Sequence, residues 1–256
     1  MGSPKQKGFI QLEGGSLGET TFVKTKDGNT AREKKVQNKR RWYTAPEFQR
    51  SRENAETFGT SSVAAKMIMH PAKAILVPQT DITMFHRLKT FITRVIAVDG
   101  INPRGKCTIQ PFNTPYFLGY ELNQKSSLRS LFNTRYTTSI NRQEGVVEIT
   151  IPSFIPTQRI QAPKGTTHFE IIAAGADLDF VKKDCQFNVF KVPVQSLDDT
   201  PTEDLHISFN LPPNSIHPVF VYLGLRFTQV TNGETHQVAQ ARMNPAAIVN
   251  VFNEGT

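Results

Sequence analysis

Between Lys34 and Arg52 the chain sets Lys34, Lys35, Lys39, Arg40, Arg41, Arg50 and Arg52 around the aromatic pair Trp42 and Tyr43. These residue types suit one chemistry in particular. Lysine and arginine neutralise phosphates, and a neighbouring indole or phenol stacks on a base. The same stretch also interleaves Glu33, Glu47, Glu53 and Glu56. On a helix, Glu47 with Arg50, Arg50 with Glu53, and Arg52 with Glu56 stand three or four residues apart and suit surface ion pairs. The stretch therefore reads first as a structural or assembly segment and second as a nucleic-acid contact. An acidic lipid surface ranks behind both.

Other constellations that would carry chemistry are weaker. The histidines, His70, His86, His168, His206, His217 and His236, are scattered. No pair has the four-residue spacing that puts two ligands on one helix face, and no Cys-x-x-Cys occurs, so no metal and no cofactor is expected. "DLDF" (Asp177, Asp179) and "LDDTPTED" (Asp198, Asp199, Glu203, Asp204) read as acidic loops. A calcium site there lacks EF-hand spacing, and a solvated loop is the commoner outcome. No G-x-S-x-G elbow is present. Cys107 and Cys185 lie in strand-like contexts without a helix start to lower a thiol pKa, and spacing does not decide whether they pair. "GGSLGET" has the glycines of a phosphate loop without its lysine, so a hairpin turn explains it better. No catalytic residue and no small-molecule substrate is evident.

Bulk properties narrow the classes further. A chain of 256 residues is long enough to bury a real core. Its formal charge of +8 is unevenly placed: residues 1–108 hold 19 Lys/Arg against 9 Asp/Glu, and the remainder 11 against 13. That split, +10 against −2, suggests different partners for the two parts, with nucleic acid, an acidic surface or the chain's own acidic half as candidates. "MGSPKQKGFIQLEGG" lacks the apolar run of a signal peptide, and Gln6 breaks the myristoylation pattern after Gly2. No run of about 18 apolar residues exists to span a membrane. A cytoplasmic protein is expected, with export by a non-standard route or release in a particle left open.

The elements that would position these residues fall into three zones, 1–43, 44–104 and 105–256. In the first, "FIQLEGGSLGETTFVKTKDGNTARE" alternates apolar and polar residues around turn glycines, which predicts strands near 8–13, 19–25 and 29–33, with Asp27-Gly28 as a hairpin signal. A lone hairpin is marginal in water. Phe9, Ile10, Leu12, Leu17, Phe22 and Val23 therefore need a receiving surface and are the candidate assembly residues. Residues 34–43 form a basic linker behind this arm. In the second zone, Thr44 to Glu47 reads as a capping box with Pro46 in the first turn, and the helix runs on until Pro71 kinks or ends it. A second helix over 81–98, capped by Thr80 or Asp81, buries Ile82, Met84, Phe85, Leu88, Phe91, Ile92, Val95 and Ile96. The third zone holds strand-like runs with turn signals every 10–15 residues, including Asn232-Gly233 at a hairpin tip. The fold class is α+β: an N-terminal β-hairpin arm, a central helical layer and a C-terminal antiparallel β-sandwich, with an immunoglobulin-like topology as one option.

Several stretches carry a resemblance. "KGFIQLEGGSLGETTFVKTKDGNTAREK", "PEFQRSREN", "IPSFIPT", "APKGTTHFEIIAAGADLDF" and "NPAAIVNVF" resemble a group of uncharacterised proteins common in Bacteroidota genomes. Those proteins share a Gly-rich start, an F-x-R-S-R-E-N-like helix and a β-rich C-terminal half. The resemblance runs over nearly the whole chain and implies a fold plan and a taxonomic setting, with no activity, cofactor or substrate. The run "KKVQNKRRW" is heavier in charge than that family pattern. Together these readings favour a non-enzymatic structural protein that self-assembles into a ring, filament or shell through its arm, with itself as partner. The alternative is a nucleic-acid-binding protein, such as a virion or nucleoid component, that uses the basic stretch 34–52.

Overall fold

The computed structural model describes residues 15–25, 28–33, 39–76, 81–231, 234–238 and 244–254. The fold is α+β, built from helices and antiparallel sheets. Two compact units divide between Arg52 and Glu53.

The first unit contains an antiparallel meander of β1 (Gly15–Leu17), β2 (Thr20–Thr25) and β3 (Gly28–Glu33). Leu17 pairs with Thr20, so Gly18 and Glu19 form the first turn, and Thr25 pairs with Gly28. Gly28 is itself a paired strand residue with φ 125°, and Asp27 of the expected hairpin signal lies outside the described residues. The strand expected at 8–13 lies outside the described residues. A short helix, α1 (Lys39–Thr44), and a 3-10 turn (Pro46–Phe48) follow. Pro46 does open that turn, but the expected capping box does not form. Thr44 is instead the last residue of α1, and its hydroxyl donates back to the Arg40 carbonyl at 2.9 Å.

Two helices lead into the second unit. α2 (Gln49–Ile75) continues through Pro71 rather than ending there. A proline at 71 cannot donate to the carbonyl of Met67 one turn earlier. The Cys185 thiol approaches that carbonyl at 3.8 Å as a substitute donor, and the Tyr222 hydroxyl donates to the next one, that of Ile68, at 3.1 Å. α3 (Met84–Ile96) begins two residues after Ile82, which is 87% exposed and not part of the buried stripe. Met84, Leu88, Ile92, Val95 and Ile96 are buried, while Phe85 and Phe91 pack half-buried against the same core. Asp81 accepts from the Thr83 amide at 2.8 Å and so holds the helix entrance.

A 3-10 helix (Pro111–Phe117) and α4 (Leu128–Leu131) lead to the strands. β4 (Thr137–Asn141) and β5 (Val146–Ile151) form a hairpin, and α5 (Pro156–Arg159) follows. Then come β6 (His168–Asp179), β7 (Asp184–Lys191), β8 (Gln195–Ser196), β9 (Leu205–Asn210), β10 (Val219–Thr231), β11 (Glu234–Gln237) and β12 (Ala246–Phe252). In the larger sheet β6 pairs with β10 along ten residues; β7 and β8 share the free side of β6, and β12 and β11 share that of β10. Thr231 pairs with Glu234, and the expected hairpin tip at Asn232-Gly233 lies outside the described residues. The smaller sheet has the order β4-β5-β9.

The pleat explains how these layers stack. Ile172, Ala174, Ala176 and Leu178 of β6, with Phe220 and Tyr222 of β10, share a core with α2 and α3. The alternate residues, Phe169, Ile171 and Ala173 with Val221, Leu223 and Leu225, share a second core with Val147, Ile149, Ile207 and Phe209 of the smaller sheet. Strands β6 and β10 are thus apolar on both faces, which is why they read as continuous apolar runs. The helices pack on one face of the larger sheet, and the smaller sheet on the other. Among the described residues no helix is long and apolar enough to cross a membrane.

Candidate functional site

The candidate assembly residues divide into two groups. Phe9, Ile10 and Leu12 lie outside the described residues. Leu17 is 68% exposed on β1, and Phe22 and Val23 are half-buried on β2. Their strand neighbours are short or polar: Phe22 sits between Gly15 and Ala31, and Val23 faces Thr30. No residue of the meander whose burial is described reaches the buried class.

Of the basic stretch, Lys34 and Lys35 lie outside the described residues. Lys39, Arg40, Arg41 and Tyr43 are exposed on α1, and Trp42 meets Tyr43 edge-on with ring centroids 4.9 Å apart. The helical ion pairs expected from spacing are replaced by other partners. Glu47 sits in the 3-10 turn before α2 and points back to Arg41, whose Nε and Nη2 donate to it at 3.1 and 2.9 Å. Its carboxyl is held below the usual range, first by its own backbone amide and then by Arg41. Arg52 does not reach Glu56; its Nη1 donates to the carbonyls of Trp42 and Ala45 at 2.6 and 3.0 Å. Glu53 and Glu56 meet Arg104 and Lys106 at 3.7 and 3.6 Å. Arg41 and Arg52 therefore brace the local fold, while Lys39, Arg40 and Arg50 remain exposed.

The "DLDF" carboxylates are not loop residues. Asp177 and Asp179 close β6, and their side chains are only 6% and 8% exposed. Strand alternation puts both on one face, where His217 lies between them. Its Nδ1 is 2.8 Å from Asp177 Oδ1, and its Nε2 is 3.3 Å from Asp179 Oδ2. Arg142, from the β4–β5 turn, donates to the carbonyls of Ser215 and His217 at 2.9 and 3.2 Å and so fixes the loop that carries the imidazole. Asp179 titrates below its usual range because the Lys182 and Val181 amides donate to it, against the opposing effect of burial, with His217 adding attraction. Burial pulls the Arg142 guanidinium below its ordinary value, and the Asp177 charge opposes that pull. Ser215 Oγ lies 3.3 Å from the same Nδ1 that meets Asp177 and accepts from the His217 amide at 3.1 Å, while Asp179 faces the opposite ring nitrogen. The cluster ties the end of β6 to the loop 215–217.

The second acidic run is a loop, pinned to the segment before and within α5. The Ser153 amide donates to Asp204 at 2.7 Å, the Phe154 amide to Thr202 Oγ1 at 3.1 Å, and the Thr157 hydroxyl to Asp199. Among the described residues no group of three or more His, Cys, Asp or Glu is arranged to hold a metal ion. Both cysteines are free thiols. Cys107 is not on a strand: the turn at Pro103–Lys106, with Gly105 at φ 89°, puts it in a coil segment. Cys185 is on β7, where burial, reinforced by Asp184 and Asp177, pushes its thiol up to about 11. No family model matches the chain, and neither a curated protein nor a solved structure matches it.

Proposed function

We propose that this chain is a non-enzymatic structural protein that assembles with copies of itself into a ring, filament or shell through its N-terminal arm. The facing sheets of residues 137–252 are read as an antiparallel sandwich that serves as the body to which the arm belongs. The supporting observation is the β1–β2–β3 meander, which has three ordered strands and no buried residue among those whose burial is described. A small sheet gains its stability by packing an apolar face on something else. Its outer strands β1 and β3 also present backbone donors and acceptors of the kind that pair with a neighbouring chain.

Deletion of residues 1–33, read by size-exclusion chromatography with light scattering, tests this. The full chain is expected to form a defined oligomer or polymer, and the truncated chain a folded monomer. A full chain that stays monomeric at high concentration, or a truncated chain that keeps the same oligomer, overturns the reading.

One observation favours the second reading, nucleic-acid binding: Lys39 and Arg40 are exposed beside Tyr43, which is 68% exposed. If these groups grip phosphates, affinity falls steeply with salt, by about one unit of logarithmic slope per contact. A salt-sensitive dissociation constant tighter than about 1 μM near physiological salt would place this reading first, since non-specific binding is usually weaker.

A further inference from the structure

We propose that the groove beside β8 is the receiving surface for the basic, aromatic segment Lys39–Tyr43 of a second copy, seated head to tail. The inference rests on the assembly reading and names its acceptor. The groove has a volume of about 490 Å3 and is lined by Pro156, Pro193, Pro201 and Leu205 together with the acidic residues Asp198 and Glu203, Asp198 Oδ1 accepting from the Thr200 amide at 2.8 Å.

The groove is built before any partner arrives. The loop 198–204 is tied to residues 153–157 by the Asp204, Thr202 and Asp199 contacts, and the Thr202 amide returns a bond to the Phe154 carbonyl at 2.9 Å. A preformed surface avoids the ordering cost of binding.

The choice of occupant follows from complementarity within one sequence. Residues 1–108 carry +10 and the remainder −2. α1 has no buried residue and offers Lys39 and Arg40 together with the exposed ring of Tyr43. Cations suit Asp198 and Glu203, and an aromatic ring packs well on proline faces, as in the proline–aromatic grooves of peptide-binding domains. Charge matching of this kind sets register and encounter rate. Because the two surfaces are different patches, the contact is heterologous and propagates.

The test uses two full-length variants, Asp198→Lys/Glu203→Lys and Lys39→Glu/Arg40→Glu. All four positions are exposed, so the fold should survive, and thermal unfolding checks that it has. Each variant alone is expected to need at least about tenfold more protein to assemble by light scattering, since two attractions become repulsions. Their equimolar mixture, in which each variant's groove meets the other variant's segment with opposite charges, is expected to restore assembly. Wild-type assembly should weaken between low and high salt. If wild type assembles and either variant assembles equally well, the groove is not the acceptor, although the assembly reading stands. If both variants lose assembly and the mixture does not restore it, the pairing is wrong. If wild type is monomeric throughout, the assembly reading fails as well.

Discussion

Asp81→Asn is the sharpest test of how the helices are held to the body. The Asp81 side chain is 7% exposed and that of Arg87 24%. Its Oδ1 accepts from the Thr83 amide and hydroxyl at 2.8 and 2.6 Å, and its Oδ2 from Arg87 Nη2 and Nε at 2.8 and 3.2 Å and from the Gln124 amide at 3.3 Å. Arg87 Nη2 also donates to the carbonyls of Leu122 and Glu121 at 3.0 and 3.3 Å. One carboxylate thus ties the start of α3 to the segment 121–124. Burial, the largest single influence, raises its pKa, but the donors from Thr83, Arg87 and Gln124 together outweigh it and lower the group from 3.8 to about 2. By linkage that shift contributes about 2 kcal/mol. The sign follows from the depressed value. The contribution is complete above the unfolded value of 3.8 and is lost as pH falls through about 2. The asparagine variant loses this contribution and also leaves Arg87 half-buried without its counter-charge, so a cost of about 2–4 kcal/mol at pH 7 is expected. Urea unfolding followed by circular dichroism at pH 7, 4, 3 and 2 measures both effects. The variant should be less stable at neutral pH and should lose less stability between pH 4 and pH 2 than wild type. A neutral-pH change within about 0.5 kcal/mol, the range of an ordinary surface substitution, or parallel pH curves would refute the reasoning.

Two further outcomes are expected. Leu88 is fully buried between α3 and the larger sheet, so Leu88→Ala should cost about 2–5 kcal/mol in the same unfolding assay, and Leu88→Asp should leave the protein unfolded or insoluble; a soluble, equally stable Leu88→Asp variant would show that this helix is not packed as described. In a Cys107→Ser background, Cys185 should react with iodoacetamide at pH 8 at least about tenfold more slowly in the native protein than in urea, because its thiol is pushed up to about 11 and the thiolate is the nucleophile; equal rates would contradict its burial against α2.

What could be read from the residues follows the range of each interaction. Leu88, Ile92, Val95 and Ile96 announce a helix face because periodicity is local, and the same pattern overshoots at Ile82, where the chain has not yet turned into α3. Asp177 and Asp179 were legible in principle. Two carboxylates at alternate positions at the end of an apolar strand share a face, and that face needs a counter-group. Its identity was not legible, because His217 comes from 40 residues further on. Pro71 shows the same limit from the other side. Its effect on the helix depends on whether the carbonyl it leaves open finds a donor, and the donor here is a thiol 118 residues away. The basic stretch was misread where a side chain turned against its own helix: spacing paired Arg52 with Glu56, but a 3-10 turn brings two carbonyls within its reach.

The ion pairs sharpen the question of what the excess cations are for. Arg41 with Glu47, Arg87 with Asp81, Arg104 with Glu53 and Lys106 with Glu56 all join groups within the first 108 residues. Each pair removes one charge of each sign, so four pairs leave 15 cations against 5 carboxylates from the original 19 and 9, and the excess stays at +10. Internal pairing therefore cannot account for the basic bias, however complete it is. Solvent ions screen the excess, and a binding partner for it would differ by class in what it asks of geometry. Phosphates accept cations in any arrangement along a flexible stretch. A protein acceptor asks for a fixed acidic surface at one place, with apolar ground for Tyr43. The loop 198–204, braced on residues 153–157 and opening onto proline walls, meets that second demand. Salt sensitivity is common to both sources. Restoration of assembly by two opposite charge reversals is a signature that only the protein acceptor can give.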